Sequence, residues 1–150
     1  MMAKVRSTNT KPEMLVRRGL HALGFRFRLH AKSLPGHPDV VLARYHAVIF
    51  IHGCFWHGHG CRRTVFPESN EAFWRKKLQR NMELDRLHRH ALSKMGWRQL
   101  VVWECALRGK GRVKVATAVS QIALWLRGSN LYSELLGVSG ETLTASNPSV

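Results

Sequence analysis

The chain is predicted to fold as a mixed α/β sandwich, a central mixed sheet flanked by helices. Hydrophobic residues make up 45% of its 150 residues, enough for a real core in one domain. Segments 10–24, 71–95 and 112–127 place apolar residues at helical spacing. Short apolar or alternating runs lie between them, so the order reads helix, three strands, helix, strand, helix.

Residues 1–9 are polar and basic and read as an arm. Thr10-Lys11-Pro12-Glu13 has the spacing of a capping box with proline in the first turn. Val16, Leu20 and Leu23 follow at helical spacing, and Gly24 is a stop. Phe25 to His30 alternates apolar and polar residues, as a half-buried strand does. Leu34-Pro35-Gly36-His37-Pro38 is a turn. Asp39 to Leu42 begins a second strand, and Tyr45 to Ile51 is a third, more buried one. Residues 52–70 hold Gly, His, Cys and aromatics without a period, which predicts an irregular loop organised by metal. Residues 71–95 form a long basic helix with Trp74, Leu78 and Met82 on one stripe. Trp97 to Trp103 is a strand, and 112–127 is a last helix with Val115, Val119, Ile122 and Leu126 on one face. From Gly128 onward Ser, Thr, Gly and Asn dominate, which predicts a weakly ordered tail at 128–150 behind a domain spanning 1–127.

Lys and Arg number 24 against 9 Asp and Glu, a net charge of +15. Such an excess on one domain points to a polyanion, and nucleic acid is the best fit. A membrane surface fits less well, because no sustained basic helix has an all-apolar opposite face. The longest apolar run, Ala47 to Ile51, is far too short to span a bilayer, and the first residues show no signal-peptide pattern. The three cysteines, Cys54, Cys61 and Cys105, suit a reducing cytoplasm rather than a disulfide framework.

The densest chemical signal is His52-Gly53-Cys54-Phe55-Trp56-His57-Gly58-His59-Gly60-Cys61. Thiols with imidazoles are the donors tetrahedral zinc prefers, and the glycines let the loop curl. Cys54, His59 and Cys61 can converge, with His57 as an alternative to His59. Cys105, after the strand ending in Trp103, is either the fourth ligand or an inert core thiol. A second signal is Pro38-Asp39 at the mouth of a strand, where many metal-dependent nucleases place a carboxylate for Mg²⁺; alone, the dipeptide is more often a turn. The next strand ends Phe50-Ile51-His52, so a backbone carbonyl near Ile51 replaces an acidic ligand, and His52 offers an imidazole to activate water. Glu13 is read either as the acid of the capping box or as part of the site. His57, if not on zinc, is free to act as an acid or base. His21, His30, His46, His88 and His90 belong to no constellation and read as solvated or structural. Phe55, Trp56 and Trp74 either wedge between bases or cover the metal loop. Lys77 and Asn81 share a helix face that either meets DNA or is a solvated basic face.

Taken together these residues resemble the very-short-patch-repair (Vsr) DNA mismatch endonucleases. The resemblance rests on Leu34 to Asp39, on Val48 to His57, on Phe73-Trp74 with Lys77 and Asn81, and on Val102 to Gly109, collinear over about residues 1 to 127. It implies a restriction-endonuclease-like core with a structural zinc site. It implies an enzyme that nicks duplex DNA 5′ of the mispaired T in a T·G mismatch, the lesion left when 5-methylcytosine deaminates. Asp39 would be the Mg²⁺ carboxylate, with the Ile51 carbonyl as second ligand. His52 and His57 would be catalytic, with Glu13 assisting. Cys54, His59, Cys61 and Cys105 would hold Zn²⁺. Phe55, Trp56 and Trp74 would intercalate beside the mismatch, Met2 would wedge from the minor groove, and Lys77 and Asn81 would contact the mispaired bases. A monomer in the bacterial cytoplasm at the nucleoid is expected, with mismatch-repair proteins or a DNA polymerase as candidate partners.

Members usually carry a short basic segment ahead of the position of Met2; its absence would weaken the grip on DNA. Gly58 and Gly60 stand where other members often have histidines or an acid, while the ligand positions are intact. Two other readings are a zinc-stabilised mismatch-binding module without cleavage, and a nuclease of a restriction or mobile-element system with another target.

Overall fold

The computed structural model describes residues 10–54, 57, 59, 69–108, 114–137 and 143–145. Helix α1 (Lys11–Ala22) leads to strands β1 (Arg28–Leu29), β2 (Val40–Leu42) and β3 (Ala47–His52). The long helix α2 (Glu71–Lys94), strand β4 (Arg98–Trp103), the single turn α3 (Glu104–Leu107) and helix α4 (Val115–Arg127) follow. Strands β5 (Tyr132–Leu135) and β6 (Leu143–Ala145) complete one six-stranded sheet in the order β1-β2-β3-β4-β5-β6. The pairs β1/β2, β2/β3 and β5/β6 are antiparallel, and β3/β4 and β4/β5 are parallel. The mixed α/β class is therefore as the sequence predicts. None of the described helices is long and apolar enough to cross a membrane.

Strand alternation sends side chains to two different layers. Val40, Leu42, Ala47, Ile49, Leu100, Val102 and Leu135 pack with Val16, Leu20, Val119 and Ile122 under α1 and α4. Val41, Val48, Phe50, Val101, Trp103 and Tyr132 form the other cluster, with Leu92 of α2. Helix α1 starts as expected: Thr10 is its N-cap and accepts the Glu13 N–H, with proline in the first turn. Gly19 lies hard against Val119, a close approach of α1 to α4 that any β-carbon would obstruct.

The expected strand at 25–30 is shorter than its alternation implies. Gly24 turns the chain with φ +94°, the Phe25 N–H returns to the Leu20 carbonyl, and only Arg28 and Leu29 enter the ladder. On α2 only Leu78 and Leu92 are buried, and Met82 is 47% exposed. The largest departure is in the expected tail. Tyr132–Leu135 pairs in parallel with β4 and β6 pairs with β5, so the sheet continues beyond residue 127. Composition averaged over 128–150 hides two buried apolar side chains, Tyr132 and Leu135, that anchor this edge. Arg98 fixes the approach: its guanidinium donates to the carbonyls of Trp125, Leu126 and Asn130 and lies 4.3 Å from the Trp125 ring centroid. One cation thus closes the C-terminus of α4, where carbonyls lack helical partners. Leu135→Ala should cost about 3 kcal/mol in urea unfolding, as for a fully buried leucine; an unchanged midpoint would show that β5 is not part of the core.

Candidate active site

Asp39 stands at the mouth of β2, on the face shared with Val41, next to the last turn of the ladder with β3. Its Oδ2 accepts the Ile51 N–H at 2.7 Å. Burial drives its carboxyl up to about 6, partly offset by that hydrogen bond; Glu13 adds to the rise, while His30 and His57 oppose it. Glu13, only 1% exposed, brings its carboxylate to 2.7 Å from His30 Nε2 and 3.3 Å from Arg17. One ligand atom each of Glu13, His30 and Asp39 lie within 4.8 Å of one another, a group with the donors to hold a metal ion. His30 is therefore part of a constellation, contrary to the reading of it as solvated or structural. The signal was indirect: its place across from Asp39 depends on how β1 pairs with β2.

His52, at the end of β3, stacks on His57 with ring centroids 3.7 Å apart and planes 3° from parallel. Burial, and then the neighbouring His57, hold the His52 imidazole well below its ordinary range, so it is neutral near pH 7. Its Nδ1 is buried and has no partner among the described residues. His57 Nδ1 lies 2.6 Å from Asp85 Oδ2. A carboxylate can only accept, so the proton sits on Nδ1 and His57 presents Nε2 outward. Asp85 escaped the sequence reading. On α2, Glu71 pairs with Arg75 and Glu83 with Arg86, whereas Asp85 lies one turn beyond Asn81 on the face that carries Trp74, Leu78 and Leu92.

The cysteine site is assembled in part. Cys54, His59 and Cys105 bring their ligand atoms within 4.8 Å of one another. Cys105 Sγ is 3.7 Å from His59 Nδ1, Cys54 Sγ accepts the Cys105 N–H at 3.3 Å, and the Gly137 N–H donates to Cys105 Sγ. A side-chain hydrogen bond with Cys54, with help from His59 and Gly137, outweighs burial and pulls the Cys105 thiol down to about 4, the thiolate a metal needs. This favours Cys105 as a ligand over Cys105 as an inert thiol. His59 rather than His57 joins the cysteines, and it stacks on Trp103 at 4.1 Å. Cys61, Phe55, Trp56 and Met2 lie outside the described residues.

Asp39, Ile51, His52, His57 and Asp85 all line one cleft of about 550 Å³ between the sheet and α2. Trp74 is half-buried on α2, with Phe73 edge-on at 5.2 Å and Lys77 Nζ 5.6 Å from its centroid; Asn81 lies on the same face. A carboxylate–imidazole group beside a His–Asp pair, in a strongly basic chain, has the acid–base and metal-binding groups that phosphodiester cleavage in nucleic acid requires.

Residues 1–63 match the family model described as DNA mismatch endonuclease Vsr. The chain is 37% identical over 134 residues to the DNA mismatch endonuclease Vsr of Escherichia coli, covering 89% of this chain and 86% of that protein. It is 48% identical over 114 residues to the type II nicking enzyme V.XorIIP of Xanthomonas oryzae, covering 76% of this chain and 84% of that one. With V.NmeAIP of Neisseria meningitidis, also a type II nicking enzyme, identity is 47% over 110 residues, 73% of this chain and 79% of that one. The chain belongs to the Vsr DNA mismatch endonuclease family, and it is a DNA-nicking endonuclease.

A raised carboxyl pKa has a definite sign in stability. Near and below pH 4 Asp39 is largely protonated folded or unfolded and costs little; the cost builds between about pH 4, where the unfolded chain ionises, and about 6, and is complete above that. Asp39→Asn should therefore stabilise the cation-free protein by on the order of 2 kcal/mol at pH 7–8, an advantage that fades to nothing near pH 4. Urea unfolding of both proteins across that range reads it directly; a difference independent of pH would refute the burial of this charge.

Proposed function

We propose that the enzyme nicks duplex DNA on the 5′ side of the mispaired T in T·G mismatches left by deamination of 5-methylcytosine, using Mg²⁺. The observation that carries this reading is the meeting of Asp39 with the His52–His57–Asp85 cluster in one cleft of a Vsr-family chain, with the buried Glu13 grouped with Asp39 and His30 beside it. The Asp39 carboxylate and the Ile51 carbonyl would hold Mg²⁺; hard oxygen donors suit it, and the Asp39 carboxyl titrates low enough to be ionised near neutral pH. Bound there, the ion supplies Lewis-acid stabilisation of charge on the scissile phosphate. His57, held by Asp85, accepts the proton of the attacking water at Nε2, and neutral His52 contacts the phosphate. Glu13 assists by holding the acidic side of the site.

Cys54, His59, Cys61 and Cys105 would hold a structural Zn²⁺; the convergence of three of them and the thiolate character of Cys105 fit that donor set. Met2, Phe55, Trp56 and Trp74 would wedge beside the mismatch, and Lys77 and Asn81 would contact the mispaired bases. Opening a base step costs a few kcal/mol, less where pairing is already weak, so a wedge selects the mismatch. The core is restriction-endonuclease-like, and residues 1–9 act as a DNA-facing arm. The enzyme works as a monomer in the bacterial cytoplasm, with mismatch-repair proteins or a DNA polymerase as partners. The similarity to several type II nicking enzymes favours a second reading, a restriction-associated nickase with its own flanking sequence.

Labelled T·G and T·A duplexes in several flanking contexts, with Mg²⁺ or EDTA, decide between them. Cation-dependent nicking of only the T strand of T·G is expected; equal cutting of both duplexes would favour the second reading. Asp39→Ala should abolish nicking and keep duplex binding; retained nicking would remove Asp39 from the site. Asp85→Asn should slow nicking by ~10²-fold or more with binding retained, as expected for a mis-oriented base. Elemental analysis should find about one zinc per chain, and chelation should lower the melting temperature, since structural zinc supplies folding free energy; a zinc-free protein with unchanged melting would refute the metal site.

A further inference from the structure

We infer that His30 is a nitrogen donor to the cation held by Asp39, so that this centre accepts Mn²⁺ and similar first-row ions more readily than a site of oxygen donors alone. The inference rests on the reading of Asp39 as a cation ligand. Three features of the geometry support it. The β1/β2 register pairs Leu29 with Val40, which sets His30 across from Asp39, and the His30 N–H donates to the Asp39 carbonyl at 3.1 Å. His30 is held there at φ +49°, a left-handed conformation that side-chain-bearing residues rarely adopt. Its Nε2 faces the carboxylate of Glu13 at 2.7 Å, and the ligand atoms of Glu13, His30 and Asp39 lie within 4.8 Å of one another.

A simpler role, balancing the buried charge of Glu13, is already served by Arg17 at 3.3 Å. What His30 adds is a second kind of donor. Its Nε2 lies 2.7 Å from the Glu13 oxygen, and an entering cation takes the place of that contact, the neutral imidazole carrying its proton on Nδ1. Mg²⁺ favours oxygen and gives up its waters reluctantly, whereas first-row transition ions gain from imidazole. His30 and Asp39 come from the end of β1 and the mouth of β2, so the ion would also tie these two strands together at the sheet edge.

The experiment uses the zinc-loaded full chain with Mn²⁺ as probe, read by electron paramagnetic resonance for affinity and by electron spin-echo modulation for directly bonded ¹⁴N. The wild type should show a bonded nitrogen. His30→Gln, which keeps a hydrogen-bond partner for Glu13, should lose it and bind Mn²⁺ ~10-fold more weakly, with Mg²⁺ affinity changed less. His57→Ala should keep the nitrogen signal. A signal that persists in His30→Gln, or that is absent from wild type while Asp39→Ala abolishes Mn²⁺ binding, would overturn the role of His30 and leave Asp39 in place. Mn²⁺ binding unaffected by Asp39→Ala would overturn the reading of Asp39 itself, and the inference with it.

Discussion

The hydrogen bond from the Ile51 N–H to the Asp39 carboxylate is the contact on which the rest of the site depends. It forms where the β2/β3 ladder ends, so a side chain takes over from the backbone of a partner strand. That substitution fixes the carboxylate at the sheet surface, next to the strand end that carries His52. Because alternation sends Phe50 and His52 to the same face as Trp103 and Tyr132, the site opens towards α2 and away from the α1/α4 layer. A register slip of one residue between β2 and β3 would turn His52 into the opposite layer and dismantle the site.

Trp103 links this site to the cysteine group. His59 stacks on its face, His52 meets it edge-on at 5.3 Å, and its indole N–H donates to Glu134 at 2.5 Å. The loop after β3 is held by short backbone bonds, His57 N–H to the Gly53 carbonyl and His59 N–H to the Cys54 carbonyl. Organising Cys54, His59 and Cys105 therefore positions His57 too, only two residues from His59. A metal held by the cysteine group would therefore also fix where the His57 imidazole stands, without contacting it.

The parts of the site that were legible in the sequence are those whose chemistry is concentrated in one string. His52 to Cys61 announces metal and acid–base groups because five donors crowd ten positions, and Pro38-Asp39 gains meaning from the strand behind it. Asp85 and His30 were not legible, because each is a lone residue whose role depends on a partner far away in sequence: 28 residues for His57–Asp85 and 17 for Glu13–His30. The helices were readable from their period, and Thr10 from its capping chemistry. The edges of the sheet were not. The alternation at 25–30 overstated β1, since one glycine in a left-handed conformation redirects the chain, and the polar composition after 128 concealed β5.

The clamp formed by Arg98 gives this C-terminal edge a mechanical meaning. Its residue begins β4 while its guanidinium grips the last carbonyls of α4 and the carbonyl of Asn130 just before β5. A central strand, the final helix and the approach to β5 are thereby fastened at one point. Loss of either contact, with the segment before β5 or with the end of α4, leaves partly unpaired a cation already stripped of part of its water. Opening from this end is thus coupled across three elements through one side chain, although the segment's composition reads as that of a loose end.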